Sequence, residues 1–527
     1  MRWRSLLVML AIGLFYTVYY CIVGIYAIQE GYLNYEHLFV ADKLQLLFTT
    51  DIKTLELFYF TYPVLEQVMA IPAGFVDPVL APVITSSIVM GGFAAYIVVK
   101  LFKLGLKFFS CMATAYFLCS PIMVFLAISG TSLYLYLLLY FLFFHYVFKY
   151  ARDLTTYNFV IISICLSAFV FLDYSFLWII VFMVPLVFLF SIYSDPLLKP
   201  NFVAIFNQIT QRSDKIKQLV GRFLSSYLVI VFTPLISLLF YLLINYWFTG
   251  EAFYFDKTFT SRWHQYGLLN YTFEGSLIKD SFTVGYVLRS ILFLCPFFVT
   301  ALWLGRRRLL FQYTMVMVPL WLIFSKNYDG TQFFSLHILL IITASGIAGI
   351  IHLFQTSLLQ IFKAKWTMPL VILLVFGFTL TGEFYYFRST HSAVEKKMVN
   401  LVLQQKLDDE MNAFMDMAGY IKENTRQDEA ILADNAIFYP TMAVTRDDVQ
   451  YVDQFTDVYY SALQSPMLYA HYLLVSNPNS IYQDRDQMRA VFLQKSASLK
   501  ILYTNDFFSL YKLDNPPSSK LTYARRK

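Results

Sequence analysis

Glu30, Glu36, Asp42, Asp51 and Glu56 fall between the first and second long apolar runs of the chain, and Asp173 stands alone in a stretch almost free of charge. Lys257, Arg262 and His264 follow later, with Trp263 among them, and Lys326 and Asn327 later still. These two sets divide one kind of chemistry between them. A carboxylate held at a membrane surface takes the proton from an acceptor hydroxyl. Lys acts on a phosphate as a point charge, and Arg grips it through a two-pronged fork. Because a phosphate leaving group is already acidic, one base and a patch of cations suffice for group transfer from a lipid-linked phosphate. Each residue also has a plain reading: a loop charge is usually just solvated, and Asp173 can cap a turn. Glu66 and Asp77, each close to a proline, read as caps of short interfacial helices. The 7 histidines are scattered without an HExxH pair, and no Walker loop, GxSxG elbow or GxGxxG unit stands out. No cofactor is expected, and a divalent metal stays open.

The elements that must position these residues are membrane spans. With 527 residues, 58% of them hydrophobic and 14% charged, the chain reads as a polytopic α-helical membrane protein. About eleven spans are expected, at 5–28, 79–102, 108–129, 131–148, 157–172, 175–193, 225–247, 285–304, 309–325, 331–353 and 367–384. Met-Arg-Trp-Arg ahead of the first run, with no small-residue cleavage site after it, reads as the start of an uncleaved anchor. Alternate loops carry Lys100, Lys103 and Lys107, Lys149 and Arg152, Lys215, Lys217 and Arg222, Arg306 to Arg308, and Lys363 and Lys365. The positive-inside rule places these loops and the N-terminus in the cytoplasm. Segment 194–224 is then a cytoplasmic connection with an interfacial helix. The net charge of +6 is absorbed by these loops, so no nucleic-acid partner is implied. The 5 cysteines lie within the expected spans and read as packing residues.

Facing outward are the first loop, the loop 248–284 and everything past residue 385. The chain divides at that point into a membrane domain, 1–384, and a soluble extracytoplasmic domain, 385–527. A helical pattern near 398–424 precedes short β-like runs, AILADN, HYLLVSN, LKILYTN and FSLYKLD, which alternate with a helix-like DRDQMRAVFLQKSA. A small α/β domain is expected. Its acids, such as Asp408, Asp409, Asp447 and Asp448, read as solvated.

NYEHLFVADKLQLL and YPVLEQVMAIP in the first loop, FLCSPIMVFLAISGTSLYLYLLLYFLFF across spans three and four, and GTQFFSLHILLIITASGIAG late in the bundle together carry a resemblance. In order and type they are similar to segments of the GT-C superfamily of polyprenyl-phosphate-sugar-dependent glycosyltransferases, above all the protein O-mannosyltransferases and aminoarabinose transferases. The resemblance covers the membrane half. It implies a GT-C-like fold and an inverting transfer from a polyprenyl-phosphate sugar to a glycan, lipid or protein of the cell envelope, in a bacterial inner (plasma) membrane. The family's catalytic carboxylate lies in the first outward loop, where Glu36 is the best counterpart, with Asp173 as a second catalytic candidate. Tyr35-Glu36 replaces the family's frequent Asp-Glu pair, which leaves Glu30 and Asp42 as alternatives. Lys257, Arg262, His264 and Lys326 would receive the donor phosphate.

Two readings of other classes compete. A lipid or polysaccharide transporter or flippase would show paired repeats and broken helices with mid-membrane polar groups. A polysaccharide polymerase or ligase of another membrane family would carry its large outward loop late in the bundle.

Overall fold

A computed structural model describes residues 3–49, 63–173, 178–193, 213–257, 294–305, 309–328, 335–355, 367–389, Glu395, Met398 and, with short breaks, 409–514. Helix α1 (Trp3–Gln29) is followed by α2 (Tyr35–Thr49) and α3 (Val64–Gly74) of the first loop. The bundle continues through α4 (Ala81–Lys103), α5 (Lys107–Cys119), α6 (Pro121–Ile128), α7 (Leu133–Asp153), α8 (Thr156–Leu172), α9 (Trp178–Tyr193) and α10 (Ser213–Thr249). After the one-turn α11 (Tyr254–Lys257) come α12 (Pro296–Leu304), α13 (Leu309–Tyr328), α14 (Ser335–Gln355) and α15 (Thr367–Ser389). Among the described residues, four helices are long and apolar enough to cross a bilayer, and a fifth if the bent pair α5–α6 is one span; shorter apolar helices accompany them. The chain is a multi-pass α-helical membrane protein.

Three differences from the sequence reading have local causes. The third expected span is two helices bent by 58°. Ser120 caps α6 by accepting from the Met123 amide, and Pro121, at the first helical position, needs no donor there. Of the connection expected over 194–224, residues 194–212 lie outside the described residues, and 213–224 are the start of α10, whose 37 residues run unbroken from Ser213. At about 1.5 Å per residue this helix is near 55 Å long, well beyond a hydrocarbon core of about 30 Å. Lys326, expected in a loop, lies within the last turn of α13.

Small residues let α1 and α4 approach closely. A Cβ at Gly91 would collide with the Thr17 hydroxyl, so glycine alone fits that crossing.

The C-terminal region adds α16 (Asp409–Asn424), β1 (Ala430–Leu432), α17 (Asn435–Thr445), β2 (Gln450–Val452), α18 (Tyr459–Gln464), β3 (Tyr472–Ser476), α19 (Gln487–Lys495), β4 (Leu499–Thr504) and β5 (Phe508–Leu513). The sheet order is β2-β1-β3-β5-β4, with β1 parallel to β2 and β3, and β5 antiparallel to β3 and β4. Both faces are covered, which is why β3 is buried at every position. Ala430, Leu432, Leu473 and Val475 face a core with Tyr459 and Met488. Their strand neighbours Ile431, Tyr472 and Leu474 join Phe414, Phe438 and Phe508 in a core continuous with that of the bundle. The expected α/β unit is present. The short β2 carries no alternation long enough to read.

Candidate active site

Between α1 and α2 the chain turns through Gly31, whose φ of +88° places it in the left-handed region that glycine tolerates. Asn34 then starts α2. Its Oδ1 accepts from the His37 amide at 2.9 Å, and its Nδ2 donates to the Ser129 carbonyl at 2.6 Å. One side chain thus caps the helix and ties it to the α6–α7 turn. That turn, Ser129 to Ser132, is fixed in several ways. Gly130 has φ +63°, and a Cβ there would press on Pro82 at 3.1 Å. The Ser86 and Ser87 hydroxyls of α4 both donate to the Ala127 carbonyl. The His37 ring donates from Nε2 to the Val79 carbonyl, and burial pushes its pKa down to about 4, so the imidazole is neutral. Asp77 accepts from the Val79 and Leu80 amides in the turn before the long helix α4, where a cap on a short interfacial helix was expected.

Glu36 sits in the first turn of α2, only 3% exposed. Its Oε2 accepts from the Ser132 amide at 3.0 Å and the Ser132 hydroxyl at 3.4 Å. The carboxylate therefore rests on the N-terminus of α7, where free amides and the helix dipole favour negative charge. It is enclosed by helices where the sequence reading placed it on an open loop. Tyr32 is fully buried beside it. Burial pushes the Tyr32 phenol up, and the fields of Glu36 and Glu395 act the same way, which keeps it protonated. Glu395, 1% exposed, accepts from the Tyr386 hydroxyl at 2.7 Å. The sequence reading missed it, although it follows the last expected span on the side assigned to the other acids.

Asp173 ends α8, 2% exposed, its amide bonded to the Phe169 carbonyl. Its field reaches Tyr140 on α7, and that of Glu66, in the first turn of α3 and 3% exposed, reaches Tyr134. Glu36, Glu66 and Asp173, from three separate elements, thus surround the first turns of α7. Among the described residues no three groups close on a point that could hold a metal ion. The helices that carry Lys257 and Lys326 approach the same end. Phe255 of α11, two positions before Lys257, packs with Tyr241 against Val64 of α3 and Phe171 of α8. Helix α13 starts near Phe148 and His352, at the far end of α7 and α14, and runs back so that Lys326 ends on the acid side. Arg262, His264, Asp51 and Glu56 lie outside the described residues.

Asp42 is fully buried in an ion network. Arg446 donates to it from Nε at 3.0 Å and from Nη2 at 2.8 Å, and Nη2 also reaches Asp453 at 2.8 Å. Lys43 donates to Asp42 at 2.9 Å and to Asn435 Oδ1 at 2.6 Å, and lies 4.5 Å from the centre of the Phe455 ring. Burial raises the Asp42 carboxyl, but Arg446 and Lys43 outweigh that and hold it below its ordinary range. Two carboxylates and two cations balance, and they fasten α2 to α17. Glu30, by contrast, is exposed.

The fold and site together define a multi-pass membrane protein with buried acids gathered at one end of the bundle, beneath a C-terminal α/β unit. No family model matches the chain, and no curated protein matches its sequence. Among solved structures, an ArnT from Cupriavidus metallidurans, crystallised with undecaprenyl phosphate bound, is similar at 10% identity and a TM-score of 0.48, over 97% of this chain and 98% of that one.

Proposed function

We propose that this chain is an inverting membrane glycosyltransferase of GT-C type that moves a sugar from a polyprenyl-phosphate donor to a glycan, lipid or protein acceptor outside the cytoplasm. The observation that carries the reading is the gathering of Glu36, Glu66 and Asp173 around the start of α7, with the ends of α11 and α13 brought to the same side. Glu36 takes the proton of the acceptor hydroxyl. The acceptor oxygen bonds to the anomeric carbon from the side opposite the phosphate, the bond from that carbon to the phosphate oxygen breaks, and polyprenyl phosphate leaves with the electron pair. Asp173 is the second carboxylate of the site. Lys257, Lys326, Arg262 and His264 steady the departing phosphate. Transfer of a radiolabelled sugar from a polyprenyl-phosphate donor by the purified chain tests the reading, and no transfer to any envelope fraction overturns it.

One observation favours a second reading, a lipid carrier. At the α5–α6 break the Tyr116 and Ser120 hydroxyls and the Ile122 amide all converge on buried Glu383 of α15. Discontinuous spans whose broken ends form binding sites are common in transporters. Movement of a lipid phosphate across vesicles without sugar transfer would select it.

A further inference from the structure

At the other end of α7 lies a polar cavity of about 360 Å³ lined by Tyr96, Lys100, His145, Tyr146, Lys149 and Arg152, with Leu104 and Gln355 also in its wall. Lys149 is seventeen positions beyond Ser132 on one helix, which at about 1.5 Å per residue puts the cavity roughly 25 Å from Glu36. Arg152 is already satisfied, since Nε and Nη2 grip both oxygens of Asp153 while Nη1 donates to Gln355. Among the described residues no carboxylate forms an ion pair with Lys100 or Lys149; the charges whose fields reach Lys100 are Lys149, Arg152 and Lys103, all positive, while the field of Lys149 also reaches Asp153, which Arg152 already holds. Lys149 instead lies over the Tyr146 and Tyr157 rings. Two half-buried ammonium groups that repel each other across one cavity are a cost to the fold unless an anion joins them. Tyr96, whose hydroxyl meets His145 Nε2 at 3.4 Å, adds a polar wall.

We propose that this cavity binds a phosphate group, free or on a lipid headgroup, at the membrane face opposite the transfer site. A phosphate monoester carries about −1.5 to −2 at neutral pH, which matches the two unpaired lysines. An apolar cavity of about 370 Å³, lined in part by Ile97 and Leu101 of α4 and Phe354 of α14, is flanked by the same two helices and would suit the chains of a lipid. The assignment does not depend on the transfer reaction.

The test uses the full chain in phosphatidylcholine nanodiscs, with fluorescent phosphatidic acid as one probe and inorganic phosphate, read by thermal midpoint, as the other. Saturable binding of at least one probe is expected, weakened about tenfold or more in Lys100→Gln and Lys149→Gln, as loss of a charge-assisted hydrogen bond requires. Lys149→Arg should retain binding, and Lys103→Gln, an exposed cation outside the cavity, should leave it unchanged. Binding of phosphatidic acid without a phosphate response assigns a lipid headgroup, and a phosphate response assigns the free ion. Failure of both probes to bind the wild-type chain, or equal binding by all variants, overturns the assignment.

Discussion

Removing Arg446 should loosen the first-loop helix from the C-terminal unit. Arg446→Met keeps the stem and deletes the guanidinium, leaving Asp42 and Asp453 buried with Lys43 as the remaining cation. Both carboxylates are 0% exposed, so neither can recover its lost partner from water. Breaking a buried pair from one side costs about 3–5 kcal/mol, most of it the penalty of stranding a charge. Asp42→Asn alone strands a cation instead. The double variant leaves Lys43 against Asp453, a balanced pair, so the two losses should fall short of adding by about 1–3 kcal/mol. Hydrogen exchange of peptides covering α2 and α17 in the full chain reads the loss without requiring global two-state unfolding. Because the Asp42 carboxyl is held below its ordinary range, its contribution is present above about pH 4 and lost only as the pH falls through the lower folded-state value. A cost below about 1 kcal/mol for Arg446→Met, or strict additivity, would show that the network is not what fastens α2.

Other outcomes follow from the same geometry. Burial, with Asp486 adding, pushes the Asp434 carboxyl up to about 7, so the C-terminal unit should lose stability as pH rises from about 4 to 7; Asp434→Asn should flatten that slope in hydrogen exchange at β1 and α17. Gly130→Ala places a side chain at φ +63° against Pro82 and should lower stability by about 1 kcal/mol or more, measured by thermal midpoint. Reporter fusions after residue 390 should be active outside the cytoplasm, and cytoplasmic activity there would remove the transfer site from the side where the acceptor is placed.

Periodicity and turn chemistry made the long helices legible, because a run of apolar residues has few alternatives in a bilayer. The α1 and α4 bounds and the strands around Leu432, Leu474, Ile501 and Leu510 follow from local pattern alone. The α5–α6 break was written in Ser120-Pro121, but a hydropathy window averages across it. The site was harder to read, because which acid is committed to structure depends on pairings across the chain. Asp42 looks as available as Glu36 until Arg446, 404 residues on, is placed beside it. The same holds for Glu395, whose field reaches Tyr32 from far along the sequence. Glu66 was visible as a first-turn acid, yet nothing local showed that it and Asp173 look onto one helix.

Turnover by Glu36→Gln tests the central claim most directly. The amide keeps the shape of the side chain and an oxygen for the Ser132 contacts while removing the basicity, so the variant should fold and bind a polyprenyl-phosphate sugar as the wild type does. Loss of a general base costs about 10²- to 10⁴-fold, so sugar transfer should fall at least about 100-fold, while Glu30→Gln and Asp173→Asn retain more activity than Glu36→Gln. Near-normal transfer by Glu36→Gln, with another of these acids inactive on substitution, would contradict the assignment and leave Glu36 as a cap on α7.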